Sequence, residues 1–276
     1  MKHLIVEVFS GCNFKCNMCS IWKNKADHIS LELLSKYLHS IYCSKLESIG
    51  ISGGEPMMYN ELHRLAGVLN DVSNIKTVYI SSNGWFADKL VDFCGRLVGK
   101  RIRVNISLDG DEKIHNEIRG MDSFQRSISL LKRLKEWDRI ESVGIKMTVQ
   151  GKNFLWVPDV LRIARDLGVS FSIMPAVKIS SYFNSQNGSF EDVLDSGKYR
   201  EPFLWIVSEL NKRLHSDYLD MLLDIIGHRT RRMDVYGCAF PCETNQLYAD
   251  GTLSFCFMSK KYEIKNYLSN FDKIGN

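Results

Sequence analysis

The chain has 276 residues, 45% of them hydrophobic, and a formal charge of +4. That length and apolar content suit one barrel-sized unit with a short appendage, and the mild charge does not fit the basic stripe of a nucleic-acid binder. No apolar run reaches the roughly 18 residues of a membrane span, and the opening MKHLIVEVFSGCNFKC is interrupted too early for a signal peptide. A soluble cytoplasmic protein, with no nucleic-acid or membrane partner, is expected.

The elements alternate along the chain. LIVEVF (4–9) reads as a strand, and Ser30 is placed to cap a helix with Leu31, Leu34, Leu38 and Ile41 on one face. LESIGIS (46–52) is a second strand, ELHRLAGVL (61–69) a helix and KTVYISS (76–82) a third strand, with a helix over 86–98. RIRVNISLD (101–109) is the fourth strand, and Phe124, Ile128, Leu131 and Leu134 form a helical stripe after it. SVGIKMTV (142–149) is the fifth. VPDVLRIARDLG has a proline in its first turn and Gly168 where the helix stops, and VSFSIMP (169–175) is the sixth strand. Such alternation means parallel strands joined by right-handed crossovers. The fold class expected is α/β, a partial (β/α)6 barrel of parallel strands with a small C-terminal hairpin and helical auxiliary module. The divisions are 1–177 for the barrel, 178–235 for a linker and helices, and 236–276 for the module, whose hairpin is QLYA, the turn ADGT and LSFCF. In parallel barrels the chemistry sits on the loops that follow the strands.

Eight cysteines fall in a telling pattern. Cys12, Cys16 and Cys19 crowd one window and Cys238, Cys242 and Cys256 another. Cys43 and Cys94 stand alone in helical runs and read as small buried hydrophobes. Clustered cysteines in a cytosolic chain point to metal rather than disulfides. Three thiolates in CNFKCNMC can hold three corners of a cubane [4Fe–4S] cluster and leave one iron open to a chelating ligand. The alternative is zinc, which in structural sites takes four ligands, and no fourth candidate lies within a few residues.

On these residues the sequence resembles the radical S-adenosylmethionine superfamily, whose hallmark is C-x3-C-x2-C on the first loop. Met18 holds the hydrophobic position before the third cysteine. ISGGEP (51–56), SSNG (81–84) and SLDG (107–110) match, in order, the ends of the second, third and fourth strands, and SLDGDEKIHNEIRGMDSF resembles members that carry an auxiliary-cluster domain. The resemblance implies a [4Fe–4S] cluster on Cys12, Cys16 and Cys19 that binds S-adenosylmethionine through its methionine amine and carboxylate. One electron, from a donor such as flavodoxin or ferredoxin, would cleave the sulfonium to a 5′-deoxyadenosyl radical that abstracts a substrate hydrogen, an oxidoreductase chemistry carried by the cofactors.

The remaining roles follow from residue type. Gly53 and Gly54 would let backbone approach the methionine end of the cofactor, Glu55 would accept from its amine, and Pro56 would stiffen the turn. Ser107 and Asp109 would bind a ribose diol, and Arg119 would pair with the cofactor carboxylate. Each has a plainer counterpart as a turn, cap or surface residue. Asn83 could equally cap the next helix or bind the cofactor, and His115 reads as a surface histidine.

The second cysteine group, C-x3-C-x13-C, resembles twitch or SPASM modules, in which a hairpin carries cysteines to an auxiliary iron–sulfur cluster. Its first spacing is longer than usual, and no further cysteine follows. Zinc or reduced structural thiols remain the alternatives. The substrate class expected is a ribosomally made peptide, with an aminosugar or nucleotide as the alternative. A non-catalytic zinc scaffold is the distant third, set apart because it would not need GGEP, SLDG and IRG together.

Overall fold

Each strand alternates between two environments, and that alternation builds the site. In a computed structural model, which describes residues 1–23, 25–176, 200–214, 219–220, 223, 244–254 and 262–263, the strands are β1 (His3–Phe9), β2 (Ser48–Gly53), β3 (Thr77–Ser82), β4 (Arg101–Ser107), β5 (Ser142–Val149) and β6 (Ser170–Pro175). They pair in parallel in sequence order. β7 (Thr244–Leu247) adds in parallel to β1, and β8 (Thr252–Ser254) and β9 (Tyr262–Glu263) continue antiparallel. The order β6-β5-β4-β3-β2-β1-β7-β8-β9 leaves β6 and β9 at opposite edges, so the sheet is open. The α/β partial barrel read from the sequence is the fold observed.

One face of the sheet is apolar. Val6, Val8, Ile49, Ile51, Val78, Ile80, Val104, Ile106, Ile145 and Met147 are buried in one core with the helices. These are α1 (Leu31–Leu38), α2 (Leu62–Asp71), α3 (Ala87–Arg96), α4 (Glu112–Arg119), α5 (Phe124–Lys135), α6 (Val157–Leu167) and α7 (Arg200–Leu214). Burial of such side chains contributes roughly 1.5–3 kcal/mol each. Residues one step away on the same strands face the other way and are largely polar. Ser107 stands opposite Lys146, Lys146 opposite Ser172, and Glu7 opposite Ser52. A parallel sheet covered on both faces would read as continuous apolar runs. Here the concave face is left for a polar chamber.

Local signals act as expected at several ends. The Ser30 hydroxyl accepts from Leu33 N–H at the start of α1, and Gly168 closes α6 in the left-handed region. Cys43 and Cys94 are fully buried. Two expectations need correction. α1 ends at Leu38, so Ile41 falls beyond it in a short 3-10 turn and is 62% exposed. The β4–β5 connection holds two helices rather than one. α4 was missed because EKIHNEIR carries only two apolar residues, although Asp111 caps its start and Gly120 ends it. The linker over 178–199 and Cys238, Cys242 and Cys256 lie outside the described residues. β7 and β8 realise the expected hairpin, turning at Asp250–Gly251, and β7 joins the barrel sheet directly.

Candidate active site at the mouth of the barrel

The loop after β1 is held by backbone rather than by its cysteines. Gly54 N–H donates to Phe9 O, Glu55 N–H to Gly11 O, Cys19 N–H to Cys16 O and Asn17 N–H to Ile118 O. A side chain on Gly53 would overlap the Phe9 carbonyl oxygen, and one on Gly54 the Gly11 carbonyl oxygen. Gly53 also has φ +147°, which L side chains rarely adopt. The GG pair is therefore required for the end of β2 to lie against the cysteine loop, before any ligand is considered.

All three cysteines line one cleft with Ser52, Gly53, Gly54, Ser81, Asn83, Ser107, Arg119, Lys146, Thr148 and Met174. Phe14, Met18, Ile21 and Trp22 line the same cleft and make its thiol side apolar. Burial pushes the Cys12 thiol up to about 12 and raises those of Cys16 and Cys19. Such thiols become good ligands only when a cation offsets the thiolate charge. Arg119 supplies part of that offset, with Nη1 3.9 Å from Cys16 Sγ. Among the described residues no three His, Cys, Asp or Glu side chains converge closely enough for a single metal ion.

Two buried carboxylates brace the cleft from behind. Glu55 is fully buried and accepts from Met57 N–H (3.0 Å), Ser82 Oγ–H (2.9 Å) and Asn83 N–H (2.7 Å). Burial pushes it up to about 7 against those three donors. Asp109, also fully buried, accepts from Thr148 N–H at 2.8 Å and forms an ion pair with Arg119 Nε at 2.6 Å. The Nε–H does not point along that contact, so the pair is electrostatic rather than an in-line hydrogen bond.

The structure places the sequence-derived residues unevenly. Cys12, Cys16, Cys19, Gly53, Gly54, Asn83, Ser107 and Arg119 meet at the cleft. Glu55, Pro56 and Asp109 do not line it; Glu55 accepts from Met57, Ser82 and Asn83, and Asp109 from Thr148 N–H. Asn83 does not cap α3, whose cap position is Phe86. Its Oδ1 accepts from Trp85 N–H, and its Nδ2 donates to Asn13 Oδ1. His115 is not on the surface. It is fully buried, accepts from Asp109 N–H on Nδ1 and faces Ser123 Oγ with Nε2. Burial, and then the charge of Arg119, lower it to about 3.

Lys146, Thr148, Met174 and Trp22 also line the cleft, although no motif in the sequence marks them. The first two were visible in the alternation of β5, where Lys146 and Thr148 share the face opposite Ile145 and Met147. Lys146 lines the cleft with no ion-pair partner among the described residues, and burial lowers its pKa.

An open parallel barrel with a three-thiol loop at the C-terminal ends of its strands, and polar groups converging on it, defines a cluster-dependent enzyme of the partial-barrel type. The Radical SAM superfamily matches residues 6–162, more than half of the chain, and the chain belongs to that family. Among curated relatives it is 23% identical over 287 residues to the GTP 3′,8-cyclase of Aquifex aeolicus, covering 96% of this chain and 85% of that protein. It is 25% identical over 163 residues to the GTP 3′,8-cyclase of Staphylococcus carnosus, covering 54% of this chain and 45% of that one. Among solved structures, SuiB of Streptococcus suis bound to S-adenosylmethionine superposes with TM-score 0.72 at 18% identity, over 98% of this chain and 65% of SuiB. The structure of anSMEcpe with bound AdoMet and the Kp18Cys peptide superposes with TM-score 0.66 at 18% identity, over 94% of this chain and 75% of that one. No helix among the described residues is long and apolar enough to cross a membrane.

Proposed function

We propose that the chain holds a [4Fe–4S] cluster on Cys12, Cys16 and Cys19, binds S-adenosylmethionine beside it, and acts on a substrate in the polar chamber beneath. The observation that carries this reading is the meeting of the three thiols with Asn83, Ser107 and Arg119 in one cleft. When bound, the cluster and S-adenosylmethionine supply reductive cleavage of the sulfonium and hydrogen-atom abstraction. Arg119, aimed into the cleft and held by Asp109, binds the cofactor carboxylate. Ser107 and Asn83 offer hydrogen bonds to its polar groups, and Phe14, Met18 and Trp22 keep water from the thiol side. Asp109 and Glu55 act here as positioning residues.

We read the substrate as a peptide. SuiB has been captured with its precursor peptide SuiA, and anSMEcpe with a peptide, on the same fold. A second reading, a small phosphorylated molecule such as a nucleotide, is favoured by Lys146 in the chamber, which has no ion-pair partner among the described residues, and by the GTP 3′,8-cyclases among the relatives. For Cys238, Cys242 and Cys256 we propose an auxiliary iron–sulfur cluster. Support comes from their spacing and from the hairpin, whose β7 begins two residues after Cys242 and whose β8 ends two residues before Cys256. The test is anaerobic reconstitution followed by dithionite. Formation of 5′-deoxyadenosine supports the central reading, and a brown, iron-loaded chain that never cleaves S-adenosylmethionine defeats it.

A further inference from the structure

Every polar atom of the fully buried Asp109 is held, its main chain as well as its carboxylate. The carboxylate accepts from Thr148 N–H and pairs with Arg119 Nε. The main-chain N–H donates to His115 Nδ1 at 3.1 Å, and the main-chain oxygen accepts from Asn153 Nδ2 at 2.9 Å. Neither His115 nor Asn153 has any exposure to solvent, and among the described residues no other histidine is buried. Because His115 Nδ1 accepts, Nε2 carries the proton and donates to Ser123 Oγ at 3.0 Å. Asn153 is fixed as firmly. Its Nδ2 also donates to Thr148 O at 3.0 Å, and its Oδ1 accepts from Gln150 N–H at 2.8 Å.

Buried main-chain groups need partners wherever they occur, so satisfaction alone would give these side chains no part in cofactor binding. The placement of α4 adds to it. His115 and Arg119 lie one turn apart on one face of the helix, so α4 meets Asp109 twice, at the main-chain N–H and at Oδ2. The far end of α4 is keyed to the cysteine loop. Asn17 N–H donates to Ile118 O at 2.9 Å, and Arg119 Nη1 lies 3.9 Å from Cys16 Sγ. Gly120 turns with φ +63°, where a side chain would stand 3.0 Å from Lys15 O. Asp109 therefore joins α4, the end of β4 and, through Thr148 and Asn153, the end of β5. A shift of its main chain moves the carboxylate against which the guanidinium rests.

We propose that His115 and Asn153 are positioning residues for S-adenosylmethionine binding, acting through Asp109 on Arg119. The inference rests on the reading that Arg119 takes the cofactor carboxylate. Holding the Asp109 main chain from both sides aims its carboxylate, and the carboxylate fixes Arg119 Nε. The rest of the guanidinium is thereby set toward Cys16 and the cleft. A misplacement of about 1 Å in a positioning group is enough to forfeit much of such a contact.

The probe is S-adenosylmethionine, used with the full chain reconstituted anaerobically. Equilibrium affinity and iron content are measured, and the spectroscopic signal of the reduced cluster is recorded with and without the probe. His115→Leu removes the acceptor for Asp109 N–H, whereas His115→Asn keeps one close to the place of Nδ1. His115→Leu is expected to lose about tenfold in affinity at unchanged iron content, with the spectral change on adding the probe moved to correspondingly higher concentration. His115→Asn is expected to stay within about threefold of the wild type. In an Arg119→Lys background, His115→Leu is expected to cost less than about twofold more, because the guanidinium carries its effect. A residue that served stability alone would lower the denaturation midpoint and leave the affinity of the folded chain as it is. Should His115→Leu not fold, Asn153→Ala carries the same affinity and background measurements, with the same outcomes expected. Wild-type affinity in the folded variant, or a loss that adds in full to that of Arg119→Lys, would overturn the proposal. Wild-type affinity in Arg119→Lys itself would defeat the reading of Arg119, and the proposal with it.

Discussion

Arg119 Nε lies 2.6 Å from Asp109 Oδ2, at a place where the Asp109 carboxylate has no exposure to solvent and the arginine side chain only 10%. Removing one member of a buried pair leaves the other charge uncompensated, which typically costs about 3–5 kcal/mol. Asp109→Ala is therefore expected to destabilise the chain by that order, and equilibrium denaturation measures it. Arg119→Lys keeps a charge near Asp109 but loses the planar fork that reaches both Asp109 and the cleft. Its expected effect is about a ten- to a hundred-fold loss of S-adenosylmethionine affinity, with iron content unchanged. Wild-type affinity in that variant would remove Arg119 from the cofactor pocket.

Replacing Cys12, Cys16 and Cys19 together with alanine is expected to abolish 5′-deoxyadenosine formation under strong reductant. The same variant decides the second cysteine group. Iron remaining after anaerobic reconstitution, with its own spectroscopic signal, would belong to Cys238, Cys242 and Cys256. Zinc alone, or no metal, would leave that group without a cluster.

The buried histidine gives the fold a defined acid sensitivity. His115 is lowered from 6.5 to about 3 in the folded chain, so between those values the unfolded chain binds the extra proton. Its contribution is complete above about 6.5 and is lost as pH falls toward 3, at up to about 1.4 kcal/mol per pH unit. Glu55 runs the other way, because burial raises it from 4.5 to about 7. Folding then takes up a proton over that interval, and the two slopes oppose each other between 4.5 and 6.5. Subtracting the stability curve of His115→Gln from that of the wild type isolates the histidine. A flat difference between pH 6 and pH 4 would show that the ring is not buried neutral.

Gly54→Ala separates two explanations of the GG pair. If the glycine serves the packing of β2 against the Gly11 carbonyl, the ligand-free chain itself should lose about 1–3 kcal/mol or more. If it serves only the cofactor, the ligand-free chain should be unaffected and S-adenosylmethionine binding alone should fall. The overlap with backbone rather than with a flexible side chain favours the first outcome.

What could be read from the residues followed a physical divide. Strand–helix alternation and the local spacing of Cys12, Cys16 and Cys19 are short-range properties, and both were legible. So was the Asp-Gly hairpin turn. The role of Asp109 was not, because it depends on Thr148 N–H, 39 residues away, and on the return of α4 that brings Arg119 beside it. His115 was misread for the same reason. On α4 it looks like one polar residue among many, and only the packing of α4 against the end of β4 buries it against Asp109 N–H and Ser123. Glu55 was placed on the right loop, but its engagement with Ser82 and Asn83 needed the β2–β3 neighbourhood to be known.

Lys146 offers the sharpest test between the two substrate readings. Its ammonium sits on the concave face, opposite Ser107 in one strand and Ser172 in the other, and lines the cleft with Thr148 and Met174. Burial lowers its pKa, so the cation is maintained at a cost that an anionic ligand would offset. With GTP as the probe, Lys146→Gln is expected to reduce affinity at least about tenfold, because a charge-assisted contact is lost while the volume of the site is nearly kept. Iron content should not change, since among the described residues no hydrogen bond or ion pair joins Lys146 to Arg119 or the thiols. The wild-type affinity for GTP should also weaken as pH rises toward the lowered lysine value, and the variant should lack that dependence. Failure of the wild type to bind GTP at all would set the phosphorylated-ligand reading aside in favour of the peptide. Equal, pH-independent binding by both chains would show that the nucleotide is held elsewhere.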